Sequence, residues 1–532
     1  MTIKKFLSNI QYPISNISSR LSNIKYPISN ISSRLSNIQY PISNILLIVL
    51  LILGFFYRIY GLSNNYSFWS DEEHVAIFAR AILERGKPIL ANGFSTEASQ
   101  WLQYWASALS SRVFGLNEFA IRFPSVIFGV LTIWAVYLLG KELFNKNVGL
   151  VAATLITFLK IEILWSRQAR PYQALQFFSL LGAFFIAKLT KGERFNWRYF
   201  LGFLGCGILA SLMHGMGLVI FFVGFLYLLI FRFSWFKKKW TALGLAIPLI
   251  FSYIFRVQIL AIVSQIGKTN NLFYYRVFLT HNYPLLCLLA FLGGILLIWQ
   301  KKYRELILFA VFLGVQIVID SFFLWQPFTR YFYPVFPFLI LLSVFALFEI
   351  SQYLGSLIKW PKYLVSIIQY LILLVLAFPV IAFGHKFTFL PQPVYSLNED
   401  MQETPEVDWK KIYKFADEGL KKNTGSVLIT NWSDLPVWYL GEGEPDYLIR
   451  KDIKIKKDTF SGAITVPGLE SLREVVKTRN KGLIILDSWD NFVPDNIGEY
   501  CQDNFKKELE IDRLYSVQPR YWPVTVYSWG MD

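Results

Sequence analysis

Residues 66–105, YSFWSDEEHVAIFARAILERGKPILANGFSTEASQWLQYW, determine how the rest of this chain is interpreted. The stretch follows the first long apolar run, yet it is too polar to cross a bilayer itself. Asp71, Glu72 and Glu73 are adjacent in it, and Glu97 precedes an aromatic-rich amphipathic segment. Since acidic groups beside a membrane are costly, a cluster of them there indicates a functional site.

The composition is that of a polytopic membrane protein. Of the 532 residues, 54% are hydrophobic and 17% are charged, whereas about 25% of the residues of a soluble domain are charged. The net charge of +16 comes from Lys and Arg in short clusters between apolar runs. Such clusters are typical of cytoplasmic loops rather than of a nucleic-acid surface, so we expect membrane lipids and no nucleic acid as partners. The three cysteines show neither metal-site spacing nor an obvious disulfide.

Apolar runs of bilayer-spanning length recur along the chain. They lie near residues 45–62, 122–140, 147–164, 172–189, 199–213, 215–232, 240–259, 282–299, 305–324, 330–348 and 363–384. The sequence therefore predicts a mainly α-helical polytopic membrane protein with about eleven transmembrane helices. Residues 45–384 are predicted to form this transmembrane domain.

The basic clusters predict the orientation of these spans. They occur in alternate connections, which the positive-inside rule assigns to the cytoplasm. Residues 1–44 then lie in the cytoplasm, while the loop of residues 63–121 and the chain after residue 384 lie on the other side. Residues 7–45 repeat the 14-residue unit LSNIQYPISNISSR, which fits either an amphipathic helix on the inner leaflet or a low-complexity tail without fixed structure.

From residue 385 on, the composition is that of a soluble domain. Helix-like segments near 406–422, 434–440, 469–479 and 497–509 alternate with strand-like segments near 426–430, 447–450, 482–487 and 524–529. This alternation predicts that residues 385–532 form a small extracytoplasmic α/β domain. None of the strands is followed by a glycine-rich phosphate loop, so the pattern does not support nucleotide binding.

Four segments of the chain match motifs of a known family. They are FWSDEEHVAIFARAILERGKP at 68–88, WLQYWASALSSRVFGLNEFAIRFPSVIFGVLT at 101–132, SRQARPYQALQFFSLL at 166–181 and TRYFYPVFPFLILL at 329–342. In this order they resemble the integral-membrane glycosyltransferases of the GT-C fold, in the protein O-mannosyltransferase and aminoarabinose-transferase-like branch (glycosyltransferase family 39-like). Many relatives carry Lys-Pro-Pro before the amphipathic helix, whereas here Glu97 is followed by Ala-Ser-Gln. A cation for the donor phosphate must then come from elsewhere.

The resemblance implies an inverting glycosyltransferase that moves a sugar from a polyprenyl-phosphate donor to an acceptor outside the cytoplasm. Such a displacement needs a carboxylate that takes the acceptor proton. Asp71 is the first candidate for this base, with Glu72 and Glu97 as further catalytic candidates. Alternatively, the acids are favoured only by the dipole of a helix N-terminus capped by Ser70, which explains one acid better than three in a row.

The departing phosphate needs Arg or Lys partners, since these cations neutralise its charge. The candidates for donor-phosphate binding are Arg167, Arg170, Tyr172, Arg330 and Tyr331. Arg170 and Tyr172 match the family motif best. An arginine at a membrane end can also simply reach for lipid headgroups.

Other side chains near these motifs could contact substrate. They are Trp69, His74, Trp101 and His214. Aromatic belts at a membrane interface look the same in sequence. A divalent metal bound by Asp71, His74 and Glu97 is conceivable, but no dense ligand motif supports it. We therefore predict no metal site and no cofactor apart from the lipid-linked sugar, which is a substrate.

Two other classes of protein share parts of this pattern. A lipid or sugar transporter or flippase is also polytopic, but transporters often have inverted halves and charges near the membrane midplane. The spans here show no internal symmetry, and the acids lie in a loop. A non-catalytic membrane scaffold would leave the acidic loop unexplained. Neither the sugar nor the class of acceptor, whether protein, glycan or lipid, follows from the sequence.

Overall fold

The computed structural model describes residues 43–95, 100–237, 246, 250, 253–254, 256–264, 267–357, 386–398, 400–401, 406–451, 455–514 and 522–531. Glu97, most of the N-terminal repeats, and most of the predicted spans near 240–259 and 363–384 lie outside these ranges.

Helices form most of the described chain before residue 358. They are α1 (Ser43–Asn64), α2 (Ser70–Arg85), α3 (Trp101–Phe114), α4 (Glu118–Leu143), α5 (Lys146–Phe158), α6 (Lys160–Trp165), α7 (Tyr172–Lys191), α8 (Trp197–Met213), α9 (Leu218–Arg232), α10 (Arg256–Val263), α11 (Leu272–Asn282), α12 (Pro284–Trp299), α13 (Tyr303–Phe322), α14 (Thr329–Phe332) and α15 (Phe336–Leu357). Short 3-10 segments lie at Leu62–Asn64, which is the last turn of α1, and at Gly215–Gly217, Phe233–Lys237 and Tyr333–Val335.

Six helical segments of the described chain are long and apolar enough to cross a membrane. They are α1, α4, α7, the segment Gly215–Lys237 around α9, α13, and the segment Thr329–Leu357 around α14 and α15. Each coincides with a predicted span. The pair α11 and α12, bent by 102°, would make a seventh if it is one broken span. The count of about eleven spans stays a prediction.

The predicted span near 147–164 is not one continuous helix. α5 ends at Phe158, Leu159 is extended, and α6 begins at Lys160. The break has a remote cause, because residues 386–388 run alongside it. The amide of Lys160 donates to the carbonyl of Lys386 over 2.8 Å, and the amide of Thr388 donates to the carbonyl of Phe158 over 2.9 Å. The backbone groups at the break are thus paired outside the helix.

Close packing in the bundle depends on small residues at one contact. A Cβ atom on Gly140 of α4 would lie 2.8 Å from the Cα of Gly149 in α5, so the two glycines allow these helices to touch. Among the six spans of the described chain, the segment Thr329–Leu357 is the most enclosed, with 94% of its apolar window buried inside the protein, against 28% for α1. The apolar surface that α1 and the other outer helices expose is the surface expected to face lipid.

Residues 406–531 form a unit with a six-stranded sheet, here called the C-terminal α/β unit. Its helices are α16 (Trp409–Lys422), α17 (Leu435–Tyr439), α18 (Leu469–Thr478) and α19 (Asp495–Asn504). Its strands are β1 (Val427–Thr430), β2 (Tyr447–Ile449), β3 (Ile464–Val466), β4 (Gly482–Asp487), β5 (Lys506–Ile511) and β6 (Val524–Trp529), in the spatial order β3-β2-β1-β4-β6-β5. β3, β2, β1 and β4 are parallel, and β6 is antiparallel to β4 and β5.

The predicted α/β layer is present, with two differences in detail. The helix predicted to reach residue 509 ends at Asn504, and β5 follows directly. β5 is an edge strand rich in Lys and Glu, a composition that discourages further strand pairing and that hides its strand character in the sequence. β3 was not predicted from the sequence, because three residues give too short an alternation to detect.

Candidate active site

α2 brings the three adjacent acids to its first turn. Trp69 at the N-cap is extended, the helix runs from Ser70 to Arg85, and its C-cap is Gly86, whose left-handed φ of 71° suits glycine. Negative side chains in a first turn are favoured by the helix dipole. Because successive residues point about 100° apart around a helix, the three carboxylates enter three different environments.

The Asp71 carboxylate faces two arginines from distant parts of the chain. Its Oδ2 atom lies 3.0 Å from Nη2 of Arg170 and 3.6 Å from Nη2 of Arg330. Arg170 also donates from Nη1 to the backbone carbonyl of Asp71 over 2.8 Å. The Asp71 side chain is 31% exposed, whereas both arginines are buried. A carboxylate and two cations therefore meet at a position that a ligand can reach.

The charge state of Asp71 follows from these neighbours. Burial raises the pKa of a carboxyl group, but Arg170 and Arg330 outweigh burial and, with the two nearby histidines, lower the pKa of Asp71 below its ordinary value. Asp71 is therefore ionised at neutral pH.

Aromatic rings hold the two guanidinium groups. The Cζ atom of Arg330 lies 3.8 Å from the ring centroid of Phe328 and 5.1 Å from that of Trp69. The Cζ atom of Arg170 lies 5.7 Å from the Trp69 ring and 5.6 Å from the Tyr172 ring. Rings at these distances stabilise cations and restrict their positions. Trp69 itself is fixed by a 3.2 Å hydrogen bond from its Nε1 to Oε1 of Gln168.

His214 lies beside the group formed by Asp71, Arg170 and Arg330, here called the Asp71 cluster. Its ring centroid is 5.8 Å from that of Tyr172, and its Nδ1 accepts a 3.2 Å hydrogen bond from the amide of Met216. Burial and Arg170 lower the pKa of His214 to about 4. At neutral pH the imidazole is thus uncharged, with its proton on Nε2, where it can donate to a ligand.

A long apolar cavity begins next to His214. Its volume is about 860 Å³, and it runs between α8, α9, α10 and α13. Gly215 and Met216, which directly follow His214, line it together with Phe323 and Leu324 near the start of the α14 segment. The charged cluster and the apolar cavity are therefore neighbours, an arrangement that suits a ligand with a charged head and a hydrocarbon tail.

Comparisons with known proteins agree with this architecture. The family model of dolichyl-phosphate-mannose-protein mannosyltransferases matches residues 101–255. ArnT from Cupriavidus metallidurans superimposes with a TM-score of 0.56 at 13% identity, covering 92% of this chain and 98% of ArnT. The structure of ArnT bound to undecaprenyl phosphate gives a TM-score of 0.55 at 14% identity, over 91% and 97% of the two chains. The chain has the GT-C fold.

Other proteins match this GT-C chain over shorter lengths or less closely. The oligosaccharyltransferase AglB from Archaeoglobus fulgidus gives a TM-score of 0.51 at 13% identity, over 84% of this chain and 69% of AglB. An uncharacterized protein from Aquifex aeolicus is 29% identical over 143 residues, 26% of this chain and 28% of that one. YkcB from Bacillus subtilis, provisionally named a mannosyltransferase, is 23% identical over 161 residues, 29% of this chain and 22% of YkcB. The matches therefore span less than a third of either curated relative.

Glu72 occupies a closed position in this GT-C chain. Its side chain has 0% exposure, and both of its oxygens bind Arg122, over 2.8 Å to Nε and 2.6 Å to Nη2. The amide of Ala169 donates to the same carboxylate over 2.6 Å. The guanidinium of Arg122 also lies 4.6 Å from the ring centroid of Phe68. Glu72 thus joins α2 to α4 and to the connection between α6 and α7, and it has no surface for a substrate.

Glu73 is a second buried acid, but in the described part of the chain it has no counterpart to the ion pair that Glu72 makes with Arg122. Neither of its oxygens has a hydrogen-bond partner among the described residues, and the side chain has 0% exposure. Burial and the nearby carboxylates, first Asp434, raise the pKa of Glu73 well above its ordinary value. Both effects favour the protonated form of Glu73, and of the three adjacent acids only Asp71 has a partly exposed side chain.

Arg167 does not lie in the Asp71 cluster. Its Nη1 donates to the carbonyl of Tyr60 over 2.5 Å, and its Nη2 donates to the carbonyl of Pro393 over 2.6 Å. Burial lowers the pKa of Arg167 to about 10. Its side chain is fully buried, so it ties the end of α1 to the segment around residue 393 and presents no group to a phosphate.

The remaining candidates are spread over the molecule. Tyr331 lies in the cluster, since its ring centroid is 5.6 Å from Cζ of Arg330 and 6.2 Å from the Tyr172 ring. Trp101 is exposed on α3. Glu97 is outside the described residues. Within the described ranges, no group of three or more His, Cys, Asp or Glu side chains is arranged to hold a metal ion.

The C-terminal α/β unit contacts α2 directly, which the sequence did not indicate. Nε2 of His74 lies 3.5 Å from Oδ2 of Asp434, and the His74 ring stacks on that of Phe460 at 4.8 Å. Arg80 donates to the carbonyls of Val437 and Trp438, and Arg85 pairs with Glu442. α2 is thus held at its first turn by Arg122 and Arg170, and along its length by this unit. His74 contributes to the second contact.

Proposed function

We propose that this protein is an inverting glycosyltransferase that moves a sugar from a polyprenyl-phosphate donor to an acceptor on the extracytoplasmic side of the membrane. The observation that carries the proposal is the meeting of Asp71, Arg170 and Arg330 close to His214, which directly precedes the lining of an apolar cavity. Proteins of the same fold support it: the ArnT structure contains undecaprenyl phosphate, and an AglB structure contains dolichol-phosphate.

The donor would bind with its phosphate on the arginines and its prenyl chain in the cavity. Arg170 and Arg330 approach one oxygen of Asp71, so an incoming phosphate can share both cations with it. Preorganised cations stabilise a leaving group because charge grows on it in the transition state. The missing Lys-Pro-Pro run is compatible with this assignment, since two arginines already supply positive charge.

The acceptor would be activated by Asp71. The hydroxyl oxygen of the acceptor attacks the anomeric carbon of the donor sugar as the bond from that carbon to the phosphate oxygen breaks. Asp71 takes the proton of the attacking hydroxyl. Polyprenyl phosphate leaves as a monoester, and Arg170 and Arg330 neutralise the negative charge that develops on its phosphate oxygen. When the arginines turn toward the phosphate they stabilise the carboxylate less, so donor binding makes Asp71 a stronger base. Attack opposite the leaving group inverts the anomeric centre.

The same proposal includes the orientation of the chain in the membrane and the spans that the structure does not describe. Residues 1–44 would be cytoplasmic, residues 45–384 would form the transmembrane domain with about eleven spans, and the active-site loop of residues 63–121 would face outward. Residues 385–532 would form an extracytoplasmic domain. Contacts between α2 and the C-terminal α/β unit support a position on the same side for both.

The proposal can be tested with purified protein in proteoliposomes. Donors with different sugars on undecaprenyl phosphate would be supplied with an envelope extract, and release of undecaprenyl phosphate would be measured. Formation of a glycosylated product supports a transferase. Movement of the donor across the bilayer without product would instead support the flippase alternative. Mass spectrometry of envelope glycans from cells with and without the gene would then identify the sugar and the acceptor.

Replacement of Arg330 by methionine is expected to raise the KM for the donor by about 10- to 150-fold. The estimate follows from a hydrogen bond to a charged group, worth about 1.5–3 kcal/mol. The measurement is initial-rate kinetics at varied donor concentration. Arg276→Met is the matched control, because Arg276 is an exposed arginine on α11. Equal KM values for Arg330→Met and the control would contradict the phosphate role.

Replacement of Arg170 by methionine is expected to move the acidic limb of the pH profile of kcat/KM to higher pH. Arg170 holds the pKa of Asp71 below its ordinary value, and without it burial raises that pKa. The carboxylate would then be protonated at a higher pH, so activity would be lost earlier on acidification. Arg112→Met, at an exposed arginine on α3, is the control. An unchanged limb in Arg170→Met would show that Asp71 is not the titrating base.

A further inference from the structure

The C-terminal α/β unit has a topological switch point between β1 and β4. The two strands are parallel neighbours in the centre of the sheet. The connection after β1 goes to one face, where Leu435 packs in the core with α16. The connection after β4 goes to the opposite face, where Ile497 packs in the core with α18. Where such connections diverge, a crevice opens at the carboxyl ends of the strands, and ligands bind in it.

Polar and aromatic side chains follow both strands at this switch point. Asn431 donates to Oδ2 of Asp490 over 3.0 Å, and its Oδ1 accepts from the amide of Asp487 over 3.0 Å. Trp432 donates from Nε1 to Oδ2 of Asp487 over 3.1 Å. Trp489, two residues beyond the end of β4, is 36% exposed. The two connections are thus tied together by hydrogen bonds, with an indole at the surface.

Arg513 lies at this switch point with unused hydrogen-bond donors. Its Nη2 binds Oδ1 of Asp487 over 2.6 Å, and its Cζ is 5.4 Å from the Trp489 ring centroid. The side chain is only 3% exposed, and neither Nε nor Nη1 has an acceptor among the described residues. Burying the N–H groups of Nε and Nη1 without acceptors is costly, so these groups favour a ligand that brings oxygen atoms.

The connection that leaves β1 also reaches α2, the helix that carries Asp71. Asp434 comes three residues after Asn431, in the connection that leaves β1, and it contacts His74. His74 in turn lies one helical turn from Asp71. A ligand that occupies the crevice would therefore lie on the side of the C-terminal α/β unit that faces α2.

We infer that this switch-point crevice binds a carbohydrate, namely the part of a glycan acceptor that is remote from the reacting hydroxyl. The exposed indole of Trp489 offers a face that a sugar ring can pack against, and the N–H groups of Arg513 that lack acceptors suit ring and hydroxyl oxygens. The inference deepens the proposed function and rests on it, because it makes the acceptor a glycan rather than a peptide or a simple lipid.

Binding of defined oligosaccharides to the full-length protein in nanodiscs tests this inference. The probes are maltoheptaose, chitopentaose and hexagalacturonate, measured by saturation-transfer NMR, with an unglycosylated Ser/Thr-rich peptide as the non-carbohydrate comparison. At least one oligosaccharide is expected to bind. Trp489→Ala is expected to raise its Kd by about tenfold, as loss of aromatic packing predicts. Tyr500→Ala on α19, also a half-buried aromatic, should leave the Kd unchanged.

The Arg513→Gln variant adds a second probe of the same crevice, and it should also weaken oligosaccharide binding. Circular dichroism checks that each variant is folded. If Arg513→Gln does not fold, the test rests on Trp489→Ala, which changes a partly exposed side chain. The inference is overturned if no oligosaccharide binds the wild type, if only the peptide binds, or if Trp489→Ala leaves the Kd unchanged. Asp71→Asn should bind the oligosaccharide like the wild type, so an inactive transferase would not be mistaken for an empty crevice.

Discussion

Replacement of Asp71 by asparagine is expected to lower turnover of the polyprenyl-phosphate sugar by about 10²- to 10⁴-fold, the usual contribution of a general base. Asparagine keeps the size of the side chain but cannot take the acceptor proton. It also removes the negative charge that pairs with Arg170 and Arg330 in the free protein. Both arginines are then more available, so the donor should bind at least as tightly as it does to the wild type.

This combination of lost turnover and retained donor affinity distinguishes a base from a structural acid. Single-turnover rates and equilibrium donor binding, measured on the same purified samples, provide the two values. Glu84→Gln is the matched control, because Glu84 is an exposed acid near the end of the same helix. It should change neither value. Near-normal turnover in Asp71→Asn would remove Asp71 from the mechanism.

Replacement of Glu72 by glutamine is expected to destabilise the protein by about 3–5 kcal/mol, as breaking a buried ion pair usually does. Arg122 would remain buried with its main partner gone, since Glu118 approaches it only at 3.4 Å. The hydrogen bond from the amide of Ala169 would also be weakened. Unfolding measured in one detergent for the wild type and variants gives the difference in free energy.

The double variant Glu72→Leu with Arg122→Met should recover part of that loss. Its apolar side chains replace the buried ion pair, and no charge is left without a partner. Asp71→Asn, at the neighbouring and partly exposed acid, should be much less destabilising. If Glu72→Gln instead kept its stability and lost turnover, Glu72 would be the base and the roles of the two acids would have to be exchanged.

Much of the bundle could be predicted because long apolar runs have few alternatives. The six spans long enough to cross a membrane, α1 and α4 among them, follow directly from hydropathy. The break at Leu159 could not be predicted in this way. It depends on backbone hydrogen bonds to residues 386 and 388, more than two hundred positions away along the chain, and nothing in residues 147–164 indicates them.

The candidate site illustrates the same limit for side chains. Arg167 and Arg170 are three positions apart and look equivalent in sequence, yet the turn between α6 and α7 directs Arg167 to the carbonyls of Tyr60 and Pro393 and Arg170 to Asp71. Asp71 and Glu72 differ in the same way. A motif indicates which residue types meet, whereas the direction of each side chain depends on the packing of distant elements.

One residue that supports the site lies in a sequence motif but was not predicted to have a role. Arg122 stands in the Arg-Phe-Pro segment of the second motif, and only the structure gives it a partner in Glu72. The contacts of α2 with Asp434 and Glu442 had no signal, because they join segments that no local pattern relates. The role of the C-terminal α/β unit in holding α2 is therefore a result of the tertiary structure.

If Asp71 and the two arginines perform sugar transfer from a polyprenyl phosphate, the phosphate of the donor must change from a diester to a monoester. Phosphorus NMR of proteoliposomes tests it most directly, because the phosphodiester of the donor and the phosphomonoester of the product give separate signals. We expect wild-type protein supplied with its acceptor to convert diester to monoester, and we expect no conversion by Asp71→Asn. Equal conversion by both proteins, or no conversion by the wild type with any donor sugar, would contradict it.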